Sequence, residues 1–543
     1  MTDRATLYRW IDATLFELGR QFRFSYLPPL MVYLAAGVSG LTAIVGTFFV
    51  KDHLGLSASF LAGLAFWAGI PWALKVPLGH LVDLIWRRKA LLVYCGAALI
   101  ALSVAIMYGL IAHTGRMAAL APVEAWYVAS VLLAPIGYVF QDVVADAMTV
   151  EAVPLFDDRG RPFGEDAVKA MHTTMQTLGR AAIILGLVLV AVLNIAMFSD
   201  VARLSEAEKT DVYAEIYLMA LAIPAISVLG VALAALHRRV RAARLRRQGI
   251  GTGRIAEMLD PRDDALVRPN WWILGGSLAF AVFTIGMGVA AVPFDQEIVF
   301  AGSMAIILFL MRRLSLELQP GLRGALMGTA IILFAFRAVP LPGPGATWWE
   351  IDVLGFDQHF LSILTLITSG LALAGMIVLR PMMAHRTVAD VVVILTIAAG
   401  LLSLPNLGLY YGLHEWTAAH TGGVVDARFI AILDTALESP LGQISMIPLL
   451  AWIARSAPAH LKATFFAVMA SFANLALAAS SLGTKYLNQI FVVTREVRAG
   501  GGVTVPADYG ELGWLLITVA ALTVMLPLLA VVVVQASPLR TRQ

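Results

Sequence analysis

The sequence predicts an all-α polytopic membrane protein: two six-helix bundles with an extra helix pair inserted between them. Three observations carry that prediction. Of the 543 residues, 59% are hydrophobic and only 14% are charged, and the mean hydropathy is +0.80. Soluble domains carry about 25% charged residues, so most of this chain's surface must face lipid. Apolar runs long enough to cross the hydrocarbon, about 20 residues each, recur along its length. Finally, short signatures of the first half return in the same order in the second. This excludes a secreted disulfide scaffold, a disordered tail and a soluble multidomain enzyme. The one cysteine, Cys95, permits no internal disulfide and no cysteine-built metal site.

The apolar runs lie near residues 30–50, 58–80, 90–112, 125–150, 171–198 and 213–236. A polar stretch, 237–269, follows, and then runs near 270–292, 297–311, 322–340, 357–379, 388–410, 427–453, 463–488 and 511–535. About fourteen transmembrane helices result, with 297–311 the shortest. The expected organisation is a cytoplasmic amphipathic segment (1–29), an N-terminal six-helix bundle (30–236), a basic linker (237–269), the inserted pair (270–321), a C-terminal six-helix bundle (322–536) and a short tail (537–543). Leu7, Trp10, Ile11, Leu15, Leu18 and Phe22 fall at helical spacing among Arg4, Arg9, Arg20 and Arg23. That pattern reads as an interfacial helix rather than a cleavable signal peptide.

Cations set the orientation. With a cytoplasmic N-terminus, 28 of the 39 Lys and Arg residues fall in cytoplasmic segments and 7 in outside loops. Both termini are therefore expected on the cytoplasmic side of a plasma membrane, the inner membrane of a bacterium. The densest cluster, Arg238, Arg239, Arg241, Arg244, Arg246 and Arg247, suits anionic lipid at the membrane surface, and no nucleic-acid partner is expected.

Asp52 to Leu61 (DHLGLSASFL) returns as Asp352 to Leu361 (DVLGFDQHFL), an offset of 300, with Phe48-Phe49 and Trp348-Trp349 upstream of each copy. Asp142, Asp146 and Glu151 align with Asp434, Glu438 and Gln443 at an offset of 292, and Lys169-Ala170 with Lys462-Ala463. Two related six-span halves, a charged central linker and cytoplasmic termini describe the major facilitator architecture, whose substrates bind near the midplane between the halves.

Several stretches carry a family resemblance. Gly79-His-Leu-Val-Asp83-Leu-Ile-Trp-Arg87-Arg88-Lys89 resembles the major facilitator loop signature, with Leu84 in place of the usual basic residue and without the second glycine. In that signature the glycine allows close helix approach and the aspartate latches one conformation. Pro71-Trp72-Ala-Leu-Lys75-Val-Pro77 before it looks like the second helix of the folate–biopterin transporter family, and Gln141-Asp142-Val-Val-Ala-Asp146 like its fourth. Phe336-Arg337-Ala-Val-Pro340 is similar to its seventh helix, and Lys462-Ala-Thr464-Phe465-Phe466-Ala467, continuing to Ser471-Phe-Ala-Asn474, to its eleventh. The resemblance implies a carrier of folates and related pterins.

The candidate pathway residues follow from the cost of charge in lipid. A carboxylate at the bilayer centre costs about 3 kcal/mol, so an embedded one faces a cavity or a counter-charge. Asp142 and Asp146 share one helix face, and Asp434 and Glu438 repeat the spacing. Such carboxylates can accept the paired N–H groups of a pterin edge, or bind and release protons. Lys75, Arg180 and Arg337 either hold the glutamate tail of a folate or neutralise these acids. Gln443 and Asn474 can line the path or join helices. Gly79, Asp83, Arg87, Arg88, Glu151 and Lys462 sit at the cytoplasmic ends and suit gating.

No phosphate-binding loop and no metal-spaced histidines occur, so neither an ATP engine nor catalysis is expected, and no cofactor. The sequence thus predicts a secondary carrier of an anionic pterin or folate-like solute, coupled to protons. The alternatives are a proton-coupled carrier of another organic anion or drug-like solute, or a non-transporting membrane assembly factor.

Overall fold

In the computed structural model, the described residues are 22–73, 75–157, 161–259, 271–290, 292–316, 320–378, 387–442, 462–499 and 502–540. The proposed N-terminal helix and Gln443 lie outside them. The first span is broken: α1 (Leu27–Val38) passes through a 3-10 turn, Ser39–Thr42, into α2 (Ala43–His53). Then come α3 (Ala58–Ala73), α4 (Lys75–Leu84), α5 (Ala90–Ala112), α6 (Val123–Ala152), α7 (Glu165–Met197), α8 (Glu206–Ala220) and α9 (Ala222–Arg247). The short α10 (Thr252–Leu259) leads to the inserted helices α11 (Trp271–Ala290) and α12 (Asp295–Ser315). The second half opens on another broken span, α13 (Pro320–Arg337) and α14 (Pro344–Asp352). It continues through α15 (Gln358–Val378), α16 (Val388–Tyr410), α17 (Ala427–Gly442), α18 (Lys462–Ile490), a two-stranded hairpin of β1 (Val497–Ala499) and β2 (Gly502–Val505), and α19 (Leu512–Gln535).

Helices occupy the described parts of the expected runs, and 443–453 of the run 427–453 lies outside the described residues. Nine helices among the described residues are long and apolar enough to cross a membrane. The arginine-rich stretch after the sixth span is no irregular linker at first: α9 runs unbroken to Arg247, and α10 folds back so that Leu245, Ile255 and Met258 bury together beside Phe156. Arg241 donates to the Phe156 carbonyl at 3.2 Å. This end of the molecule, with Arg87, Arg88 and the arginine cluster, is called the basic face below.

The halves meet along two helix pairs, α3 against α18 and α7 against α15. Within the first half, close approach is bought by glycine pairs. A Cβ at Gly96 would fall 2.5 Å from the Gly137 carbonyl oxygen, and one at Gly137 would fall 2.6 Å from that of Gly96, so α5 and α6 touch backbone to backbone. Gly37 and Gly186 do the same for α1 and α7. Gly79 does not: no described atom lies within 4 Å of a Cβ built there, so the loop-motif glycine is not the point of closest helix contact.

The inserted pair is more than a spacer. Val299, Ile307 and Met311 of α12 bury in one cluster with Phe66 and Ile70 of α3, Leu326 and Leu333 of α13, and Phe472 and Leu475 of α18. The apolar stripe of α12 therefore seals the seam where the halves join. The opposite surface of the pair, with Leu278, Val282, Ile285 and Val289 exposed, is the one left for lipid.

Candidate functional site

Lys75 opens α4 directly after the proline-bearing end of α3. Its Nζ lies 2.5 Å from Asp142 Oδ2 and 2.7 Å from Asp146 Oδ2, so one ammonium bridges both acids of α6. The helix spacing makes this possible, because side chains four apart stack on one face. The Tyr33 hydroxyl of α1 donates to Asp146 Oδ1 at 2.6 Å. Arg180 of α7 is near enough for its charge to act on Asp142 and on the Tyr33 hydroxyl, yet it makes no ion pair among the described residues. The cluster thus holds two carboxylates against one committed and one uncommitted cation. Asp146 keeps 47% of its side chain accessible, which leaves one side of the cluster open.

Lys75 is therefore occupied by acids rather than free for a solute carboxylate. Arg337 differs: its Nε donates to the Ala473 carbonyl of α18 at 3.3 Å, with no ion pair among the described residues. The adjacent Asn474 reaches across the seam to the Trp72 carbonyl of α3 at 3.3 Å, one helical turn before Lys75. These two contacts carry the second half up to the edge of the Lys75 cluster.

Asp434 is elsewhere. It is buried in α17, accepts from Asn406 Nδ2 of α16 at 2.9 Å, and acts electrostatically on Glu350 of α14. Asp142 stands ten residues before the basic end of α6, whereas Asp434 stands seven residues from the opposite end of α17. The sequence repeat therefore does not translate into equal depth. Asp142 and Asp434 therefore do not share one cluster. Glu438 lies on α17 and Lys462 opens α18, but their side chains are outside the described set.

At the basic face Glu151 pairs with Lys89 at 2.5 Å, and Lys89 also lies over the Trp86 ring, 3.8 Å from its centroid. This ties the start of α5 to the end of α6. Arg87 and Arg88 are exposed there, while Asp83 and Arg87 each have a polar or electrostatic partner.

The opposite face carries a clasp that sequence reasoning missed. Arg495, buried after α18, donates to three carbonyls at the end of α2: Lys51 at 2.5 Å, Leu56 at 2.8 Å and Val50 at 3.0 Å. Its guanidinium lies 4.5 Å from the centroid of the Trp348 ring of α14. Lys51 pairs with Asp352 at 2.5 Å, and the Tyr509 hydroxyl donates to the same carboxylate. Burial first, and then that carboxylate, push the Tyr509 phenol above its ordinary value, so it stays a donor.

Between these levels lies a cavity of about 590 Å³. It forms where both broken spans interrupt their helices, at Ser39 and Thr42 of the first half and at Gly343 and Pro344 of the second. Irregular backbone in a spanning segment is tolerated where it lines a cavity. None of the described candidate pathway residues lines it.

Comparison with known proteins agrees with this architecture. Residues 306–541 match the family model described as the BT1 family. A folate-biopterin transporter of Synechocystis sp. is 22% identical over 463 residues, 84% of this chain and 74% of that protein. Among solved structures, a POT family transporter in complex with a thioalcohol conjugated peptide aligns with a TM-score of 0.58 at 14% identity, covering 94% of this chain and 95% of its own. A mutant of the nucleoside transporter NupG aligns at 0.53 and 12% identity, covering 94% and 99%. The second half of the chain thus resembles the BT1 family, and the chain is a membrane transporter rather than an enzyme, with the fold of these solved transporters.

Proposed function

We propose that this chain is a secondary active carrier of a pterin or folate-like solute, coupled to protons at Lys75, Asp142 and Asp146 and working by alternating access. One observation carries the coupling: inside a spanning bundle, a single lysine is shared by two carboxylates, with Tyr33 bonded to one and Arg180 in electrostatic reach. Two like charges held that close favour keeping a proton on one of them whenever the cation turns away. A proton taken up by the carboxylate pair leaves Lys75 facing one charged acid instead of two. Release of that proton restores the bridge. The cluster therefore has two charge states separated by one proton, which is what coupling requires.

Support for alternating access comes from the positions of the ties. The clasp at Arg495, Lys51 and Asp352 holds the halves together at the face opposite the basic one. The Asn474–Trp72 bond joins them beside the ion cluster. Movement of α3 against α18 would break these in turn. The pterin or folate reading rests on the relative named as a folate-biopterin transporter.

The test is uptake into proteoliposomes. An inward proton gradient should drive accumulation of labelled folate or pterin above equilibrium, and a protonophore should abolish it. Asp142→Asn should abolish accumulation while leaving solute exchange across equilibrated membranes. Accumulation indifferent to the gradient would overturn the coupling.

A further inference from the structure

We infer that the cavity between the two broken spans binds an uncharged, planar heteroaromatic ring, at a site separate from the Lys75 cluster. This deepens the proposed function by assigning the part of the solute that is recognised and the residues that recognise it.

Among the described residues, the lining has no Asp, Glu, Lys, Arg or His. An anion placed there would lose its hydration without gaining a counter-charge, a cost that buried sites avoid. The volume, about 590 Å³, lies inside the range that holds one small organic ligand, roughly 300–1,000 Å³. Four aromatic side chains contribute: Tyr127, Tyr138, Tyr217 and Trp348. They offer π-faces for offset or edge-on packing against a flat ring.

The hydroxyl inventory then separates a flat ring from a sugar. Ser103 and Ser130 each donate to the other's carbonyl, at 2.8 and 2.9 Å, with their hydroxyl oxygens 3.0 Å apart. Ser39 donates to the Ala36 carbonyl at 2.6 Å, the Tyr138 hydroxyl lies within polar reach of Ser39, and that of Tyr217 within polar reach of Thr42. Thr47 donates to the Ala43 carbonyl at 3.1 Å. That leaves Tyr127 and Thr347 as lining hydroxyls with no bond to another described residue. A polyol, with a hydroxyl on almost every carbon, would bury most of them unpaired. A flat heterocycle with one or two polar edges would not. Tyr127 stands on α6 of the first half and Thr347 on α14 of the second, so such a ring would be held from both halves.

Position adds a consequence. Trp348 borders the cavity and also carries Arg495 over its ring, and Arg495 holds the end of α2. An occupant pressing on Trp348 therefore acts on the clasp that closes this face.

The test is equilibrium binding to the purified full chain in nanodiscs, with no gradient, so that it stands or falls apart from proton coupling. The probes are pterin, pterin-6-carboxylate (the same ring with one added charge), folate and a hexose. Pterin should bind about 10-fold or more tightly than pterin-6-carboxylate, and the hexose should not bind. Ala68→Phe, which fills the cavity, should abolish pterin binding. Tyr127→Phe should weaken it several-fold, with the unliganded melting temperature of each variant confirming that it folds. Tighter binding of either carboxylated ligand, binding of the hexose, no binding of pterin, or undiminished pterin binding to a folded Ala68→Phe protein would each overturn the assignment. Gradient-independent uptake would instead count against coupling and leave this site standing.

Discussion

Lys51 Nζ lies 2.5 Å from Asp352 Oδ1, and the same ammonium lies 3.5 Å from Asp52. Asp52 and Asp352 are the counterparts that open the two copies of the internal repeat. A single lysine from the first copy therefore joins the ends of both leading spans, and Arg495 reinforces the joint by satisfying the carbonyls that end α2. Helix ends leave carbonyls such as that of Lys51 without a partner inside the helix, so the guanidinium serves as cap and as cross-link together.

Breaking that joint should open the face it closes. Charge-assisted hydrogen bonds are worth about 1.5–3 kcal/mol. Arg495→Gln should therefore raise the population open on this side about 10-fold or more. In a Cys95→Ala background, a cysteine at position 47, beside the cavity, should be alkylated correspondingly faster. An unchanged labelling rate would show that the clasp does not govern opening.

Lys75→Ala should damage folding, because it leaves Asp142 and Asp146 facing each other without their shared cation. Removing one member of a buried pair costs about 3–5 kcal/mol, and partial exposure of these side chains, 23% for Lys75, places the effect toward the lower end. Adding Asp142→Asn to Lys75→Ala should recover part of the lost melting temperature. Failure of the second substitution to restore any stability would argue against the pairing.

At the basic face, Lys89→Ala should cost more than Glu151→Gln. The lysine loses the carboxylate, the Trp86 ring and the Trp86 carbonyl at 3.4 Å, whereas the glutamine change removes one of the three. Denaturation of the two variants in the same detergent gives the order directly.

Gly137→Val tests the α5–α6 contact. Its new side chain would begin 2.6 Å from the Gly96 carbonyl oxygen and 2.7 Å from Ile100 Cγ1. Overpacking costs about 1–3 kcal/mol, so the melting temperature should fall clearly. Gly79→Ala, at a position with open space, should leave it nearly unchanged.

Glu297 on α12 accepts from Lys485 at 3.1 Å and from the Tyr486 hydroxyl on α18, while the neighbouring Gln296 donates to the Gly63 carbonyl of α3 at 3.3 Å. The inserted pair is therefore fastened to both sides of the seam that must move. Glu297→Ala together with Gln296→Ala should change the rate of solute exchange more than the affinity, read from exchange kinetics and equilibrium binding on one preparation.

Spans were legible because lipid imposes a long apolar run on every crossing helix, and the halves because Asp52 and Asp352 sit in recognisably similar stretches. That Lys75, Asp142 and Asp146 are embedded charges was legible too, since such charge is rare and costly. Their mutual arrangement was not: the repeat pointed to Asp434 as the depth equivalent of Asp142, but the second half has Gly375 at an offset of 300 from Lys75, so the cation is not duplicated. Tyr33 was invisible because a tyrosine in a span reads as packing, and Arg495 because an arginine in a loop reads as solvated. The cavity left no trace in the sequence, being lined by small, hydroxyl-bearing, aliphatic and aromatic residues scattered over both halves. Such a lining is defined only once helices are assembled.

Proton movement with the solute is the central claim, and a dye trapped inside proteoliposomes measures it. With no initial pH difference, adding pterin or folate outside should acidify the lumen, and Asp142→Asn protein should give no acidification while still exchanging solute. Solute entry with a constant internal pH would contradict the account.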